Sequence, residues 1–147
     1  MGYNDGEALV LTRVRACTGF DASNTSRGDW KLLNSGRDDH YAILRPGAMT
    51  LEFISIGQYT ITWQTLIEVW QRYTDEIESK SNLCTHVVNL FSTLAYPHLG
   101  SASTIQDAMI VSGDEPQVMV GKDGGPSWLR WTLQLRWTEE EVVTYAE

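Results

Sequence analysis

Residues 127–138 read Ser-Trp-Leu-Arg-Trp-Thr-Leu-Gln-Leu-Arg-Trp-Thr, and this stretch decides the fold class. Large apolar side chains alternate with polar ones, and a period of two matches a β-strand. One face carries Leu129, Trp131, Leu133, Leu135 and Trp137, and the other carries Arg130, Thr132, Gln134 and Arg136. The pattern therefore predicts a long strand with one face in a hydrophobic core.

Other segments predict further strands. Residues 59–73 alternate in the same way, but large side chains occur on both faces, so both faces are expected to be partly covered. Tyr41–Arg45 is expected to be a short strand ended by a turn at Pro46-Gly47, followed by a second strand at residues 49–56. Residues 104–111 and 117–120 are the remaining strand candidates.

Two segments predict helices. Asn4 or Asp5 can cap a helix that runs to about Cys17, with Gly19 as its stop. Thr74-Asp75-Glu76 opens a second, amphipathic helix that should end near Ala95 or Tyr96, because Pro97 cannot continue it. Its expected apolar positions are Ile77, Leu83, Cys84, Val87, Leu90, Phe91 and Leu94. Residues 21–39 are polar and predict a long loop.

Together these elements predict an α+β fold. We expect a mostly antiparallel sheet of four to six strands packed against one long helix, with an additional N-terminal helix. The length of 147 residues is typical of one domain, so residues 1–147 are taken as a single unit. Residues 139–147 are expected to form an acidic C-terminal tail.

Composition limits the possible functions. The formal net charge is −8, which argues against tight binding to the outside of a nucleic acid. No apolar run approaches the ~20 residues of a membrane-spanning helix, and no export signal precedes the first helix. A cytoplasmic site of folding is therefore expected. Cys17 and Cys84 have no CxxC partner and are expected to be small core residues.

No motif predicts catalysis. Cys84 and His86 are two residues apart on a predicted helix, so their side chains cannot face each other. His40 and His98 lack metal-ligand spacing, and Asp38-Asp39-His40 is more typical of a solvated loop. We therefore expect no catalytic, cofactor or metal site, and a protein that is not an enzyme.

The six tryptophans are the strongest hint of an interaction surface. Trp63, Trp131 and Trp137 fit the predicted core. The others do not all fit, and aromatic residues together with arginine are enriched at interface centres. The candidate subunit or partner interface comprises Trp30, Trp70, Trp128, Arg130 and Arg136. Trp70→Ala or Trp128→Ala is then expected to weaken assembly more than folding; peripheral packing is the alternative.

The element order, with three local patterns, resembles the tail terminator (tail completion or neck) proteins of long-tailed bacteriophages. These patterns are His40-Tyr-Ala-Ile-Leu-Arg-Pro-Gly47, Val69-Trp-Gln-Arg-Tyr-Thr-Asp75 and Leu133-Gln-Leu-Arg-Trp137, and the likeness covers about residues 5–138. The resemblance implies a subunit that closes into a ring, typically a hexamer, on the finished tail tube. Such a ring stops tube polymerisation and docks the head connector, and the family offers no catalytic residues to carry over.

The same resemblance implies the partners and the place of action. These are further copies of the chain, the tail tube protein, a head-tail connector or stopper protein, and DNA that passes without sequence-specific binding. The protein would be assembled in the host cytoplasm into the virion, with no membrane and no cofactor involved. Asp75, Glu76 and Glu78 are the acids expected to face the lumen or solvent.

Two alternatives stay open. The chain could be another neck or tail component, such as a connector, a stopper, a tube chaperone or a baseplate subunit. It could also be a small ligand-binding or enzymatic α+β domain with a pocket between the sheet and the second helix. The polar groups available for that pocket are Asp38, Asp39, His40 and Arg45.

Overall fold

The computed structural model describes residues 3–29, 33, 38–55, 58–94, 105–121 and 125–142. Its helices are α1 (Tyr3–Arg15) and α2 (Glu76–Leu94). Its strands are β1 (Thr25–Arg27), β2 (His40–Ser55), β3 (Gln58–Arg72), β4 (Ile105–Gly113), β5 (Gln117–Met119) and β6 (Trp128–Val142).

All six strands belong to one sheet with the order β1-β2-β3-β6-β4, and β5 pairs with β6. Only the pair of β1 and β2 is parallel; every other pair is antiparallel. The expected α+β class and mostly antiparallel sheet are thus confirmed. Two helices, rather than one, share the core on one face of this sheet.

The central pair of strands, β3 and β6, explains why residues 127–138 alternate. Their register places Trp63 opposite Trp137 and Ile67 opposite Leu133, so these side chains share the face that the helices cover. The apolar residues of β6 enter this core as predicted, with Trp131 only partly buried at its margin. Trp137 is fully buried, and its Nε1 donates a hydrogen bond to Thr65 Oγ1 at 3.0 Å.

Helix α2 begins where the sequence predicts, and its cap is Asp75. The Asp75 carboxylate accepts hydrogen bonds from the backbone amides of Ile77 and Glu78, both at 3.0 Å. The buried stripe is Leu83, Val87, Leu90 and Leu94. The prediction that Ile77, Cys84 and Phe91 belong to the apolar face of α2 was wrong, and all three are exposed. A helix that lies on a sheet buries only one stripe of side chains. Cys17 is buried as expected.

The predicted turn at Pro46-Gly47 was wrong. β2 continues through it, with a register shift between Pro46 and Met49 that identifies a β-bulge. Proline is tolerated because β1 pairs with β2 only at Ala42–Leu44, so the missing amide lies at an edge. A Cβ on Gly47 would stand 3.0 Å from Gln64 Cβ and 3.1 Å from Gln64 O, so glycine permits the close strand approach.

Two other expectations need correction. The loop predicted for residues 21–39 contains strand β1, held by hydrogen bonds such as Arg15 Nε to Thr25 Oγ1 at 2.7 Å. The acidic tail predicted from residue 139 begins as sheet, because β6 continues to Val142 and Glu139 pairs with Ile61. Backbone pairing with β3 therefore overrides the acidic composition of this segment, at least as far as Val142.

Candidate functional site: the outer face and the edges of the sheet

The face of the sheet opposite the helices, here called the outer face, carries most of the predicted interface residues. Register pairs Trp70 with Arg130 and Arg72 with Trp128, while Arg136 lies opposite Gln64. Residues opposite each other on paired strands share a face, so four of the five predicted residues lie on the same face of the sheet. Trp30 lies outside the described residues.

At one end, the outer face forms a second small core. Its buried members are Tyr41, Ile43, Trp70 and Trp128, with Leu33 and Met119 packed against them. Trp70 and Trp128 are each only 6% exposed. The expectation that these two tryptophans offer open surface to a partner was therefore wrong, because the chain itself covers them.

Two arginines pack against the tryptophans of this second core. The Arg130 guanidinium lies 5.6 Å from the centre of the Trp70 ring, and Arg72 lies 5.6 Å from that of Trp128, distances typical of cation–π contacts. Arg130 Nη2 also donates to Gln117 Oε1 at 2.8 Å. Arg130 thus helps hold β5 on the sheet. Arg136 is exposed and contacts Met109 Sδ at 3.8 Å, so its charge remains accessible.

A buried carboxylate balances part of this positive charge. The Glu68 side chain is 3% exposed, and its Oε2 accepts a hydrogen bond from Arg45 Nε at 2.9 Å. Arg130 Nη1 lies 4.0 Å from the same oxygen. Glu68 therefore links β2 to β6 across β3, which gives Arg45 a structural partner on the outer face.

Arg45 is separated from the other polar residues proposed for an alternative ligand pocket. Arg45 lies on the outer face, whereas His40 is paired opposite the buried Gln71 on the helix side of the sheet. The space between the sheet and α2 is filled by core side chains such as Leu83 and Leu90. Among the described residues, no three His, Cys, Asp or Glu side chains form a metal-binding group.

The structure does reveal a histidine pair that the sequence analysis missed. The rings of His40, at the start of β2, and His86, on α2, stack with centroids 4.0 Å apart and planes 19° apart. Phe20 packs edge-on against both rings. Nothing in local spacing could have indicated this contact, because the fold alone brings the two elements together.

The two rings have different environments. His40 Nδ1 lies 2.7 Å from Asp39 Oδ1, and its Nε2 contacts the Gly19 carbonyl. His86 Nδ1 is buried without a hydrogen-bond partner, and burial, with the nearby His40, lowers the pKa of His86 to about 4. The hydrogen bond with His40 lowers the pKa of Asp39. Because the rings are nearly parallel, their nitrogen lone pairs do not converge on a common metal position.

The predicted lumen acids lie at the start of α2. Asp75, Glu76 and Glu78 are all exposed, as the expectation of a lumen or solvent position requires. Asp75 caps the helix, and Glu76 Oε1 pairs with Lys80 Nζ at 2.8 Å. All three lie on the helix side of the sheet, opposite Arg136.

The sheet has two open edges at its opposite sides. Among the described residues, β2 has a neighbour on only one side from residue 45 to 55, and β4 has only β6. Both edges expose large apolar side chains: Met49 (53%) and Leu51 (43%) on β2, and Met109 (43%) and Val111 (40%) on β4. Open strands of this kind are templates for pairing with another chain.

No family model matches the chain, and a search of curated proteins gives no significant match.

Within the part of the chain that the structure describes, neither helix has the length and apolar character needed to cross a membrane.

Proposed function

We propose that this protein is a ring-forming virion assembly protein at the head-tail junction of a long-tailed bacteriophage. The ring, hexameric by resemblance, ends polymerisation of the tail tube protein and docks the head connector or stopper protein, while DNA passes through its centre. The protein has no enzymatic activity and no cofactor in this role.

One observation carries the proposal: among the described residues, a single sheet has two open, partly apolar edges on opposite sides of the subunit. A β2 edge that pairs with the β4 edge of the next copy makes a head-to-tail contact. Contacts of this type close into a ring when the rotation between subunits closes. Repetition of this contact would also cover the exposed backbone and apolar side chains of both edges.

The strand directions are compatible with this arrangement. Neighbouring strands alternate in direction from β2 through β3 and β6 to β4, so β2 and β4 run in opposite directions. A copy related by rotation therefore presents its β2 edge antiparallel to β4. The helices of successive copies stay on the same side of the continuous sheet.

The ring is expected to close with the helices on its outside, because the helix layer makes that side of the sheet the bulkier one. A curved sheet offers more room on its convex side, where the two-helix layer would lie. The central channel would then be lined by hydroxyl and amide side chains of Thr62, Gln64, Gln134 and Thr138, together with the charged Glu52 and Arg136. Mostly neutral groups let DNA pass without the counterion release that accompanies tight binding.

This closure changes the role proposed for Asp75, Glu76 and Glu78. They lie on the helix side, so they would face outward, at the rim of the ring rather than in the channel. Asp75 caps the helix and Glu76 pairs with Lys80, so the exposed Glu78 is the acid available to a docking neighbour. Charge reversal of Glu78 should then impair docking of the connector without altering ring formation.

The direct test is the size of the purified protein. Multi-angle light scattering over a range of concentrations, together with negative-stain images, should detect a closed ring of subunits. Incubation with growing tail tubes should stop their elongation at substoichiometric amounts relative to the tube protein. A protein that stays monomeric at every concentration and never binds tubes would refute the proposal.

A further tail component is the second candidate, since a connector, stopper or baseplate ring could use the same two edges. Copy number per virion and the position of labelled protein separate these roles from a terminator. A small ligand-binding domain has less support, because the structure places Arg45 and His40 on opposite faces of the sheet.

A further inference from the structure

One flank of α2 exposes four apolar side chains. Ile77 and Val88 are 82% and 60% exposed, and Cys84 and Phe91 are also exposed. Their spacings of seven, four and three residues place them on one side of the helix. We call these four residues the α2 stripe; beside it lies a shallow depression lined by Ser81, Cys84, Thr85, Val88 and Asn89.

The opposite flank of α2 shows which way the α2 stripe points. His86 contacts Phe20 just after α1, and the Thr93 carbonyl accepts a hydrogen bond from Arg13 of α1 at 3.1 Å. At about 100° per residue, the stripe lies roughly opposite these two positions. α1 contacts β1 and β2, whereas α2 contacts β3, β4 and β6. The α2 stripe therefore faces the side of the molecule where β4 forms the open edge.

The charge distribution supports an interface at this position. Residues 81–94 contain no Asp, Glu, Lys or Arg, although 20% of the chain is charged. Depletion of charge with retention of apolar residues is typical of the centre of a protein interface. A second copy of a chain with net charge −8 can approach this neutral flank with little repulsion.

The opposite edge of the sheet carries a matching patch. Met49 and Leu51 lie opposite Trp63 and Ile61, which belong to the helix side of the sheet. Both exposed β2 side chains are therefore on the same side of the sheet as the α2 stripe, but at the other edge. Head-to-tail repetition of the subunit brings these two patches together.

We propose that the α2 stripe of one copy is the docking site for Met49 and Leu51 of the next copy's β2 edge. This inference rests on the proposed ring and specifies how neighbouring subunits recognise each other. Backbone pairing between β4 and β2 supplies the strand contact. The α2 stripe contacts the side chains on the helix-side face of the neighbour's β2, and this contact determines which face of that strand is bound.

Two charged variants test this contact. Leu51→Glu places a carboxylate on the β2 patch, and Val88→Lys places an ammonium group on the α2 stripe. Each variant alone should raise the concentration needed for assembly on the order of a hundredfold, because an unpaired charge would be buried in the interface. Thr50→Glu is the matched control, since Thr50 lies opposite Thr62 on the outer face and should leave assembly unchanged.

Mixing the two variants provides the decisive result. An equimolar mixture should recover rings in light scattering, because the carboxylate introduced by Leu51→Glu meets the ammonium group introduced by Val88→Lys, and every other contact joins two unmodified patches. At concentrations where the wild type is monomeric, urea unfolding of each variant should match that of the wild type, since both positions are exposed.

Failure of the mixture to recover rings, or normal assembly of either single variant, would overturn this interface while leaving the ring itself intact. A wild-type protein that never assembles would remove the proposed function as well. The two proposals can therefore fail separately.

Discussion

The two halves of strand β2 differ sharply in their surroundings. Residues 41–44 are completely buried, whereas residues 46–52 are exposed along their whole length. The bulge between Pro46 and Met49 marks the boundary. The first half of β2 is therefore buried on both faces of the sheet, and its second half is an exposed edge strand.

On the proposed ring, this difference separates the residues that stabilise the fold from those that join subunits. The buried half is covered on the helix side by α1 and α2 and on the outer face by Trp70 and Trp128. In the described part of the chain nothing covers the apolar side chains of the exposed half, so they contribute little to the stability of the single chain. Substitutions in the first half should therefore change folding, and substitutions in the second half should change association.

The largest expected effect tests the covered half. Trp70→Ala should lower the free energy of unfolding by about 3–5 kcal/mol, because it removes a buried ring and its contact with Arg130. Met49→Ala, in the exposed half, should change it by less than about 0.5 kcal/mol. Urea unfolding monitored by fluorescence measures both. A small effect of Trp70→Ala with lost assembly would restore the interface expected from the sequence and break the comparison.

Gly6→Ala should reverse the usual preference for alanine in helices. A Cβ at residue 6 would overlap Cη2 of the tightly packed Trp137 ring. We expect a loss of about 1–3 kcal/mol in the free energy of unfolding, instead of the ordinary gain of up to about 1 kcal/mol. Thr12→Ala, on the exposed side of the same helix, serves as control. Stabilisation by Gly6→Ala would mean that the core around Trp137 is loosely packed.

Asp75→Ala should lower the free energy of unfolding by about 1 kcal/mol, because two backbone amides at the start of α2 lose their acceptor. Glu78→Ala changes a neighbouring acid that does not cap the helix and should cost clearly less. Thermal or urea unfolding gives both values. Equal losses for the two variants would show that charge near the helix end, rather than the cap, stabilises α2.

The remaining expected effect concerns pH. The unfolded chain takes up a proton on His86 near pH 6.5, whereas the folded pKa of His86 is about 4. Between these values the unfolded state binds more protons, so stability should fall as pH is lowered from about 6.5 towards 4. His86→Gln should flatten this part of the unfolding curve.

A separate acid-labile contribution should survive in the His86→Gln variant. The pKa of Asp39 is lowered by its contact with His40, so its stabilising contribution is lost only as pH falls below the usual range of a carboxyl group. An unchanged pH profile between 6.5 and 4 in His86→Gln would argue against burial of the wild-type ring.

Local pattern predicted the elements but not every boundary between them. Alternation identified β3 and β6, because each has one face in the same core. Pro46-Gly47 was interpreted as a turn, since both residues favour turns; the structure uses them in a bulge at an open edge. Position in the sheet therefore decided their role, and no local pattern contains that information.

The candidate site was predicted only in part. The sequence placed Trp70, Trp128, Arg130 and Arg136 on the less apolar strand faces, and the structure places all four on the outer face. It could not show that the first two are buried, because the cover comes from Leu33 and Met119 in distant segments. The α2 stripe was missed for the opposite reason: three of its residues, Ile77, Cys84 and Phe91, were expected in the core.

Sequence alone determined the α+β class, the amphipathic α2 and the two-faced central strands, because period and capping depend on neighbouring residues. Only the tertiary structure decided that His40 meets His86, that β2 and β4 are open edges, and that the α2 stripe faces outward. These properties depend on which surfaces are buried by other segments of the chain. Contacts between residues that are distant in sequence determine that burial.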